Sequence, residues 1–293
     1  MIKIFKAKGV FNMVILDNGT VHEEIAEMGA EIRRLTVNGE ERMWNGDEKF
    51  WTGVAPVLFP ICGGIPDNKF ELNGKEYDLV KHGFARKSLF TVEKASNTTA
   101  TFLLKSNEET LKSYPWEFEF RVKYTLSASM VNVEYDVLNL SDSLMYTAVG
   151  GHEAYLCEGG IENYDVIFER EETLKTHRLE GTLISRKTDT ILYESKVLPL
   201  YTEYFEIDAL IFTDVKSRFV TLRNRTNGKS VSVNFDGFDF LLLWTKPGAP
   251  YLCIEPWTTS PSYLDDSHDL SLKEGMTAVE PGKHFTKTHK IYF

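Results

Sequence analysis

The chain has 293 residues, of which 42% are hydrophobic, and its formal net charge is −10 at pH 7. The apolar content is enough for a sizeable core, which excludes a largely disordered chain. The negative charge argues against a nucleic-acid partner, because binding to a polyanion needs a positive surface that displaces counterions. No apolar stretch approaches the roughly 20 residues that span a bilayer, and the N-terminal residues lack a signal-peptide pattern. The sequence therefore predicts a cytoplasmic protein with neither a nucleic-acid nor a membrane partner.

The cysteine content is odd and sparse, which does not fit a disulfide framework. Cys62, Cys157 and Cys253 are far apart, and none of them belongs to a CxxC pair. A structural zinc site is therefore not predicted. We expect three buried free thiols.

The first predicted elements are a strand over residues 13–16 and an irregular apolar segment over residues 55–70. The prolines and glycines of this segment exclude regular structure, yet its apolar side chains do not suit an exposed loop. One interpretation is a rigid, buried loop beside a cavity, which ends near His82. The other is a purely structural Ω-like connection.

Two short islands of small and apolar residues each contain one histidine. His82 lies in the motif KHGFAR, where Gly83 allows close approach of a ligand and Arg86 supplies a planar donor fork. His152 lies in the motif GGHEAY, where paired glycines again allow close approach. An isolated histidine also has many structural uses, so a ligand contact and a structural role both remain open for each residue.

The middle of the chain carries the clearest secondary-structure signals. Residues 107–113 predict a short helix that ends before Tyr114-Pro115. Polar and apolar residues alternate over 117–126 and again over 130–138, with Ser-Ala-Ser between them, which predicts an antiparallel hairpin. Further short strands are predicted over residues 100–104, 218–222, 230–235 and 238–244.

Two acidic residues stand beside or inside apolar, strand-like runs near the end of the chain. Asp208 opens the run DALIF and is the weaker site candidate, whereas Glu255 lies within YLCIEPW. Burial of a carboxylate is costly unless it is paired or protonated, and desolvation raises its pKa toward the range of a general base. The structural alternative for Glu255 is an edge position facing water. Trp257 is either a platform for a sugar ring or a core residue.

A histidine and a glutamate in apolar surroundings are the minimum equipment for concerted acid–base chemistry near neutral pH. His152 and Glu255 supply this combination, although they are far apart in the chain. The other histidines lie in polar or charged stretches and are expected to be solvated: His22, His177, His268, His284 and His289.

Strand and turn signals continue from one end of the chain to the other, and aromatic residues reach 13%. No Rossmann glycine fingerprint, Walker loop or GxSxG elbow occurs. The predicted fold class is all-β, a large antiparallel β-sandwich, with residues 1–293 forming one domain.

The motifs HGFAR at 82–86, GHEA at 151–154 and IEPW at 254–257, in this order, resemble the aldose 1-epimerase (galactose mutarotase-like) superfamily. The resemblance extends over most of the chain and is strongest to the bacterial mutarotase-related branch. It implies a β-supersandwich with an open sugar cleft across one sheet. It also implies an isomerase that interconverts the α and β anomers of a free hexose such as galactose or glucose, without a metal or an organic cofactor.

The resemblance further implies roles for individual residues. His152 would be the general acid that protonates the ring oxygen, and Glu255 the general base that takes the proton of the anomeric hydroxyl. His82 would donate a hydrogen bond to the ring oxygen or a nearby hydroxyl, and Asp208 would bind sugar hydroxyls. Mutarotation proceeds unaided in water, so one positioned acid and one positioned base suffice for useful acceleration.

One position departs from the family pattern. Family members usually carry an arginine shortly after the Pro-rich loop, where it binds sugar hydroxyls, but this chain has Gly64 there. Arg86 is the predicted replacement for this donor, and Trp257 is predicted to contact the sugar. Without a bidentate donor at this position, the resemblance alone establishes neither catalytic turnover nor the identity of the sugar.

Two other functions remain open from the sequence. Gly64 favours a carbohydrate-binding protein that keeps the cleft without turnover. A hexose-6-phosphate 1-epimerase would need a basic cluster at the cleft, for which the candidates are Arg86, Lys87 and Arg33-Arg34. In each case the partner is a small-molecule sugar, and a monomer and a homodimer are both compatible with the sequence.

Overall fold

The computed structural model describes residues 4–6 and 12–293, and most of these residues lie in antiparallel sheets. The predicted all-β, sandwich-type fold is confirmed. The N-terminal segment without a signal-peptide pattern falls in large part outside the described residues. Among the described residues, no helix has the length and apolarity that a membrane crossing requires.

The strands are numbered in chain order. They are β1 (Ile4–Lys6), β2 (Asn12–Asp17), β3 (Val21–Ala26), β4 (Ile32–Val37), β5 (Glu40–Glu41), β6 (Lys69–Leu72), β7 (Lys75–Asp78), β8 (Thr91–Ala95), β9 (Thr99–Lys105), β10 (Phe118–Ser127), β11 (Met130–Asn139), β12 (Met145–Thr147), β13 (Glu153–Leu156), β14 (Tyr164–Glu180), β15 (Leu183–Pro199), β16 (Leu210–Phe212), β17 (Phe219–Asn224), β18 (Ser230–Asn234), β19 (Phe240–Trp244), β20 (Tyr251–Trp257), β21 (Thr277–Val279) and β22 (His284–Tyr292). The helix α1 spans Glu108–Ser113, and the 3₁₀ turns are Pro66–Asn68, Ala85–Lys87, Ile161–Asn163, Thr202–Phe205 and Leu270–Leu272.

The elements predicted in the middle of the chain are confirmed. Strands β10 and β11 form the expected hairpin, with Phe118 opposite Asn139 and Ser127 opposite Met130. The short helix begins after Asn107, whose side chain accepts hydrogen bonds from two backbone N–H groups of the first turn. Local alternation and capping chemistry therefore suffice to define this part of the fold.

Three sheets contain most of the strands. The largest has nine strands in the order β15-β14-β17-β18-β22-β11-β10-β9-β8, and a five-stranded sheet runs from β1 to β5. A four-stranded sheet has the order β13-β20-β19-β16. Buried apolar residues of all three sheets belong to one continuous core. The three cysteines are buried free thiols, as predicted.

The four-stranded sheet has two faces with different neighbours. On β20, Leu252 and Ile254 enter the main core, because successive side chains of a strand point to opposite faces. Tyr251 and Cys253 belong to a separate small cluster on the other face, and Trp257 belongs to another. This outer face forms the floor of a cleft.

The longest hairpin, β14–β15, reaches one end of that cleft. Just after its tip, the N–H of Ile184 on β15 donates to the Ser262 carbonyl at 2.9 Å, and the N–H of Ser262 donates to the Gly64 carbonyl at 2.9 Å. Leu179 and Thr182 near the tip line the cleft as a result. The hairpin is therefore a wall of the site as well as part of the nine-stranded sheet.

Candidate active site

The cleft has a volume of about 220 Å³ and is lined by residues from each of the predicted islands. Its floor is the outer face of the four-stranded sheet, and its walls come from the loop around residue 82, from the β14–β15 hairpin and from the segment before β16. The lining residues are Trp51, Lys81, His82, Arg86, His152, Leu179, Thr182, Asp208, Ala209, Ile211, Leu242, Trp244, Glu255, Trp257 and Pro261.

His152 and Glu255 meet on the floor of the cleft. Nε2 of His152 lies 3.3 Å from Oε2 of Glu255, with side-chain exposures of 12% and 2%. Glu255 is in the middle of β20, and His152 directly precedes β13, the neighbouring strand. The structural alternative for Glu255, an edge position facing water, is excluded, and the two residues can reach the same small molecule.

Burial shifts the pKa values of the two groups in opposite directions. It lowers the pKa of His152 to about 3, and it raises the pKa of Glu255 well above the usual value for a carboxyl group. The positive charge of Lys81 partly opposes the shift of the Glu255 pKa. Without a sugar, the mobile proton of the pair therefore rests on the carboxyl group, while the imidazole is neutral.

His82 is held from behind by the Pro-rich loop. Its backbone N–H donates to the Gly63 carbonyl at 2.9 Å, and the Gly63 N–H donates to Nδ1 of the His82 ring at 3.1 Å. Because Nδ1 accepts this bond, the proton of the neutral ring is assigned to Nε2. Burial, reinforced by His152, Lys81 and Arg86, holds the pKa of His82 well below its usual value. The loop thus supports a neutral hydrogen-bond donor at the wall of the cleft.

Aromatic rings surround the imidazole of His152. The ring centroids of Trp51 and Trp244 lie 5.1 and 5.6 Å from that of His152, and Trp257 lies 5.2 Å from His82. Trp257 is buried, with its indole N–H donating to the Gly151 carbonyl at 3.1 Å, and it also lines the cleft. Trp51 and Trp244 were not predicted as site residues, and no local motif distinguishes them from core tryptophans.

The polar groups at the mouth of the cleft include both signs of charge. Asp208 lines the cleft as predicted, with one carboxylate oxygen accepting from the Ala209 N–H at 2.9 Å. Arg86 and Lys81 also line it, and Arg86 donates to the Lys81 carbonyl at 3.0 Å. Within residues 4–6 and 12–293, neither cation has a carboxylate partner at ion-pair distance, and Nε of Arg86 is buried without a hydrogen-bond partner.

The hypothesis that several candidate basic residues cluster at the cleft is wrong. Lys87 is exposed outside the cleft. Arg33 pairs with Glu31 at 3.0 Å, and Arg34 pairs with Glu24 and Glu41 on the five-stranded sheet. These residues are committed to other carboxylates, so only Arg86 of the candidates reaches the site.

The structure gives a physical reason for glycine at position 64. An added Cβ there would lie 2.5 Å from Oγ1 and 2.6 Å from the backbone oxygen of Thr182. The tip of the β14–β15 hairpin therefore occupies the space that a longer side chain would need. Arg86 supplies a guanidinium at the cleft, although from a different wall.

One set of three potential metal-donor side chains occurs in the described part of the chain. Donor atoms of His152, Cys253 and Glu255 lie within 4.8 Å of one another. The set includes the His–Glu pair itself. The thiol of Cys253 lies two residues before Glu255 on β20 and points to the same face. Sequence spacing could not reveal it, because His152 and the other two residues come from distant segments.

The prediction that His289 is solvated is wrong. Its side chain is fully buried, and Nε2 donates to Oε1 of Glu153 at 3.0 Å. Its polar neighbours in sequence suggested exposure, but the period-2 alternation of β22 places His289 on the same face as buried Ile291. That alternation is the signal that could have identified it.

The antiparallel β-sandwich with a His–Glu pair on the floor of an open cleft agrees with the epimerase-type protein that the sequence motifs imply. The aldose 1-epimerase family model matches residues 12–292, which is nearly the whole chain. The protein therefore belongs to the aldose 1-epimerase family.

The relatives agree with this assignment. Protein LacX (plasmid form) of Lactococcus lactis subsp. lactis is 34% identical over 268 residues, covering 87% of this chain and 90% of the relative. The structure of a galactose mutarotase related enzyme from Lactobacillus acidophilus has 32% identity and a TM-score of 0.91, covering 96% of each chain. A galactose mutarotase-like protein from Lactobacillus casei has 28% identity and a TM-score of 0.88, covering 96% of this chain and 99% of that chain.

Proposed function

We propose that the protein is a mutarotase that interconverts the α and β anomers of a free hexose such as galactose or glucose. The observation that carries the proposal is the 3.3 Å approach of His152 Nε2 to Glu255 Oε2 on the floor of a sugar-sized cleft. The ring oxygen and the anomeric oxygen of an aldose are bonded to the same carbon. Two groups this close can therefore serve both oxygens of one hemiacetal.

The proposed steps conserve protons. When the sugar binds, the mobile proton passes from Glu255 to His152. The Glu255 carboxylate then takes the proton of the anomeric hydroxyl, the His152 imidazolium gives its proton to the ring oxygen, and the bond between C1 and the ring oxygen breaks to leave an aldehyde. Rotation about C1–C2 presents the other face of the carbonyl, and the ring closes with the two groups exchanging roles. No proton is gained or lost over the cycle, which suits a pair with one mobile proton.

The neighbours of the pair support this division of labour. The buried Oε2 of Glu255 has no hydrogen-bond partner among the described residues, so it is free to accept from a hydroxyl of the substrate. A bound hydroxyl and the charge of Lys81 both favour the carboxylate form, which the empty cleft disfavours. His82 offers its Nε2–H to the ring oxygen or a nearby hydroxyl, and Asp208 offers an acceptor.

A polarimetric assay tests the proposal. We expect faster mutarotation of α-galactose or α-glucose with the wild-type protein and the spontaneous rate with Glu255→Gln, which is a matched variant of the same size. The assay is repeated with a panel of free and phosphorylated hexoses. A wild-type protein that leaves every one of these sugars at its spontaneous rate would overturn the proposed function. In that case, saturable sugar binding by calorimetry would select the non-catalytic carbohydrate-binding alternative.

A second candidate, a hexose-6-phosphate 1-epimerase, is favoured by one observation. Lys81 and Arg86 present two cations to the cleft that no carboxylate of the described residues neutralises. A phosphate group on the substrate would supply the missing partner. Comparison of kcat/KM for glucose and glucose 6-phosphate distinguishes the two functions. Lys81→Ala is expected to weaken the reaction of the phosphorylated sugar more than that of the free sugar, which loses only the influence of the Lys81 charge on Glu255.

A further inference from the structure

A second buried His–Glu pair lies behind the first. Glu153 directly follows His152, and because successive residues of a strand point to opposite faces, its side chain points toward the nine-stranded sheet. There Oε1 of Glu153 accepts a hydrogen bond from Nε2 of His289 on β22 at 3.0 Å. Glu153 is 3% exposed and His289 is fully buried. The bond joins the sheet that forms the cleft floor to the sheet on the other side of the core.

The carboxylate of Glu153 also packs against the residue on the other side of His152. A Cβ added to Gly151 would lie 2.6 Å from both carboxylate oxygens of Glu153. The Gly151 N–H donates to the Pro256 carbonyl at 3.1 Å, and the Gly151 carbonyl accepts from the Trp257 indole at 3.1 Å. Both neighbours of His152 are therefore fixed, one to β20 and the other to β22.

A contribution to stability alone does not explain why this pair is buried here. Burial of two ionisable groups has a desolvation penalty that an apolar pair of similar size avoids. In addition, Oε2 of Glu153 and Nδ1 of His289 are buried without hydrogen-bond partners among residues 12–293. Such unpaired polar atoms add further cost. This costly arrangement lies directly behind the backbone that carries His152.

We propose that Glu153 and His289 are positioning residues that hold His152 at its proton-transfer distance from Glu255. This inference rests on the proposed acid–base function. The inter-sheet hydrogen bond fixes the start of β13, and the carboxylate beneath Gly151 restrains the peptide before His152. Displacement of a reacting group by about 1 Å can lower a rate by about 10²-fold, so small movements of this backbone matter.

Substitutions in the buried pair test the inference. We expect Glu153→Ala to lower kcat by about 10- to 100-fold with KM changed less than about threefold, because the sugar contacts remain while the acid–base geometry loosens. Glu153→Gln keeps an oxygen that can accept from His289 and should retain most of the rate. His289→Gln, which keeps a donor, gives a second and milder disturbance if the alanine variant does not fold.

A matched core variant separates positioning from loss of stability. Val21 is buried on β3 in the five-stranded sheet, which contains no member of either His–Glu pair. Val21→Ala should lower the melting temperature and leave kcat unchanged. If Glu153→Ala behaves like Val21→Ala, with a lower melting temperature and a wild-type kcat, the pair is merely structural and the inference is wrong.

An NMR measurement keeps the inference testable even if the wild-type protein shows no turnover. The ring ¹⁵N signals of His152 report the environment of Nε2 directly. We expect them to shift in Glu153→Ala and His289→Gln but not in Val21→Ala. Unchanged His152 signals in both pair variants would overturn the positioning role, whereas absent wild-type mutarotation with shifted signals would contradict only the proposed function.

Discussion

The two buried His–Glu pairs use the same side chains in opposite ways. His152 and Glu255 approach to 3.3 Å at the floor of an open cleft, and Oε2 of Glu255 has no hydrogen-bond partner in the described part of the chain. His289 and Glu153 form a hydrogen bond of 3.0 Å and are sealed between two sheets. Access to a ligand, rather than residue type, therefore distinguishes the open pair from the sealed pair.

The two groups of the open pair have pKa values that are shifted in opposite directions. Burial lowers the pKa of His152 to about 3 and raises that of Glu255 well above its usual value, so both groups are held in their neutral forms. A ligand that supplies hydrogen bonds to the carboxylate reverses part of this shift. Under the proposed function, proton transfer is therefore expected only when a hydroxylated ligand occupies the cleft.

The largest effect is expected from the open pair. Glu255→Gln and His152→Asn should each lower the mutarotation rate by about 10²–10⁴-fold, down to the limit set by the spontaneous reaction, because each removes one proton-transfer group. Polarimetry at neutral pH measures the rate. The conservative change Glu153→Gln in the sealed pair should have a far smaller effect. A wild-type rate for either open-pair variant would show that the wrong pair has been assigned to the chemistry.

The sealed pair should instead dominate stability. His289→Ala leaves the Glu153 carboxylate buried without a partner, and such a loss costs about 3–5 kcal/mol of unfolding free energy. Replacement of both partners, in Glu153→Met with His289→Leu, should recover most of that stability but not the rate. Urea denaturation gives the free energies. Equal destabilisation by the single and double variants would contradict an ionic origin of the loss.

A third buried carboxylate shows the effect of having no partner at all. Glu23 on β3 is fully buried, and neither of its oxygens has a hydrogen-bond partner among the described residues. Burial raises its pKa from 4.5 to about 8. The folded protein therefore binds this proton more tightly than the unfolded chain, and the stabilisation present at acidic pH is lost as the pH rises toward 8.

We expect Glu23→Gln to remove this pH dependence. Each pH unit between the two pKa values corresponds to about 1.4 kcal/mol, so the wild-type protein should lose about 3 kcal/mol relative to the variant between pH 5 and 7. Unfolding free energies at several pH values measure the difference between the two slopes. Glu255 contributes with the same sign in both proteins and cancels. Parallel slopes would contradict a protonated Glu23 in the folded state.

The sequence was sufficient for the parts of the molecule governed by local rules. Alternation predicted the β10–β11 hairpin, the cap at Asn107 follows from local hydrogen bonding, and the small residues around His152 pointed to a close approach. Apolar neighbours also identified Glu255 as a buried carboxylate. What these signals share is that a few consecutive residues determine them.

Apart from the burial of His289, which the alternation of β22 could have indicated, the missed features depend on contacts between distant segments. His289 was assigned to solvent from its neighbours, although its partner Glu153 lies 136 positions away. Trp51 and Trp244 meet His152 from separate strands and loops. The resemblance likewise could not show why position 64 lacks an arginine, because the answer lies in the tip of a distant hairpin.

That hairpin gives the smallest predicted effect. Gly64→Ala places a Cβ about where Thr182 already sits, at 2.5–2.7 Å from its atoms, and overpacking of this kind typically costs about 1–3 kcal/mol. Gly64→Arg should destabilise the protein at least as much as Gly64→Ala, and it should not raise the mutarotation rate as a restored family residue would.

A double-mutant cycle of Gly64→Ala with Thr182→Gly tests whether Thr182 causes the destabilisation. Urea denaturation measures the stability of each variant, and polarimetry measures its rate. Because the backbone oxygen of Thr182 remains 2.6 Å from the new Cβ, the double variant should recover only part of the lost stability. Full stability of Gly64→Arg with an increased rate would mean that the hairpin tip yields easily and that the wall of the open pair is adaptable, unlike the sealed pair behind it.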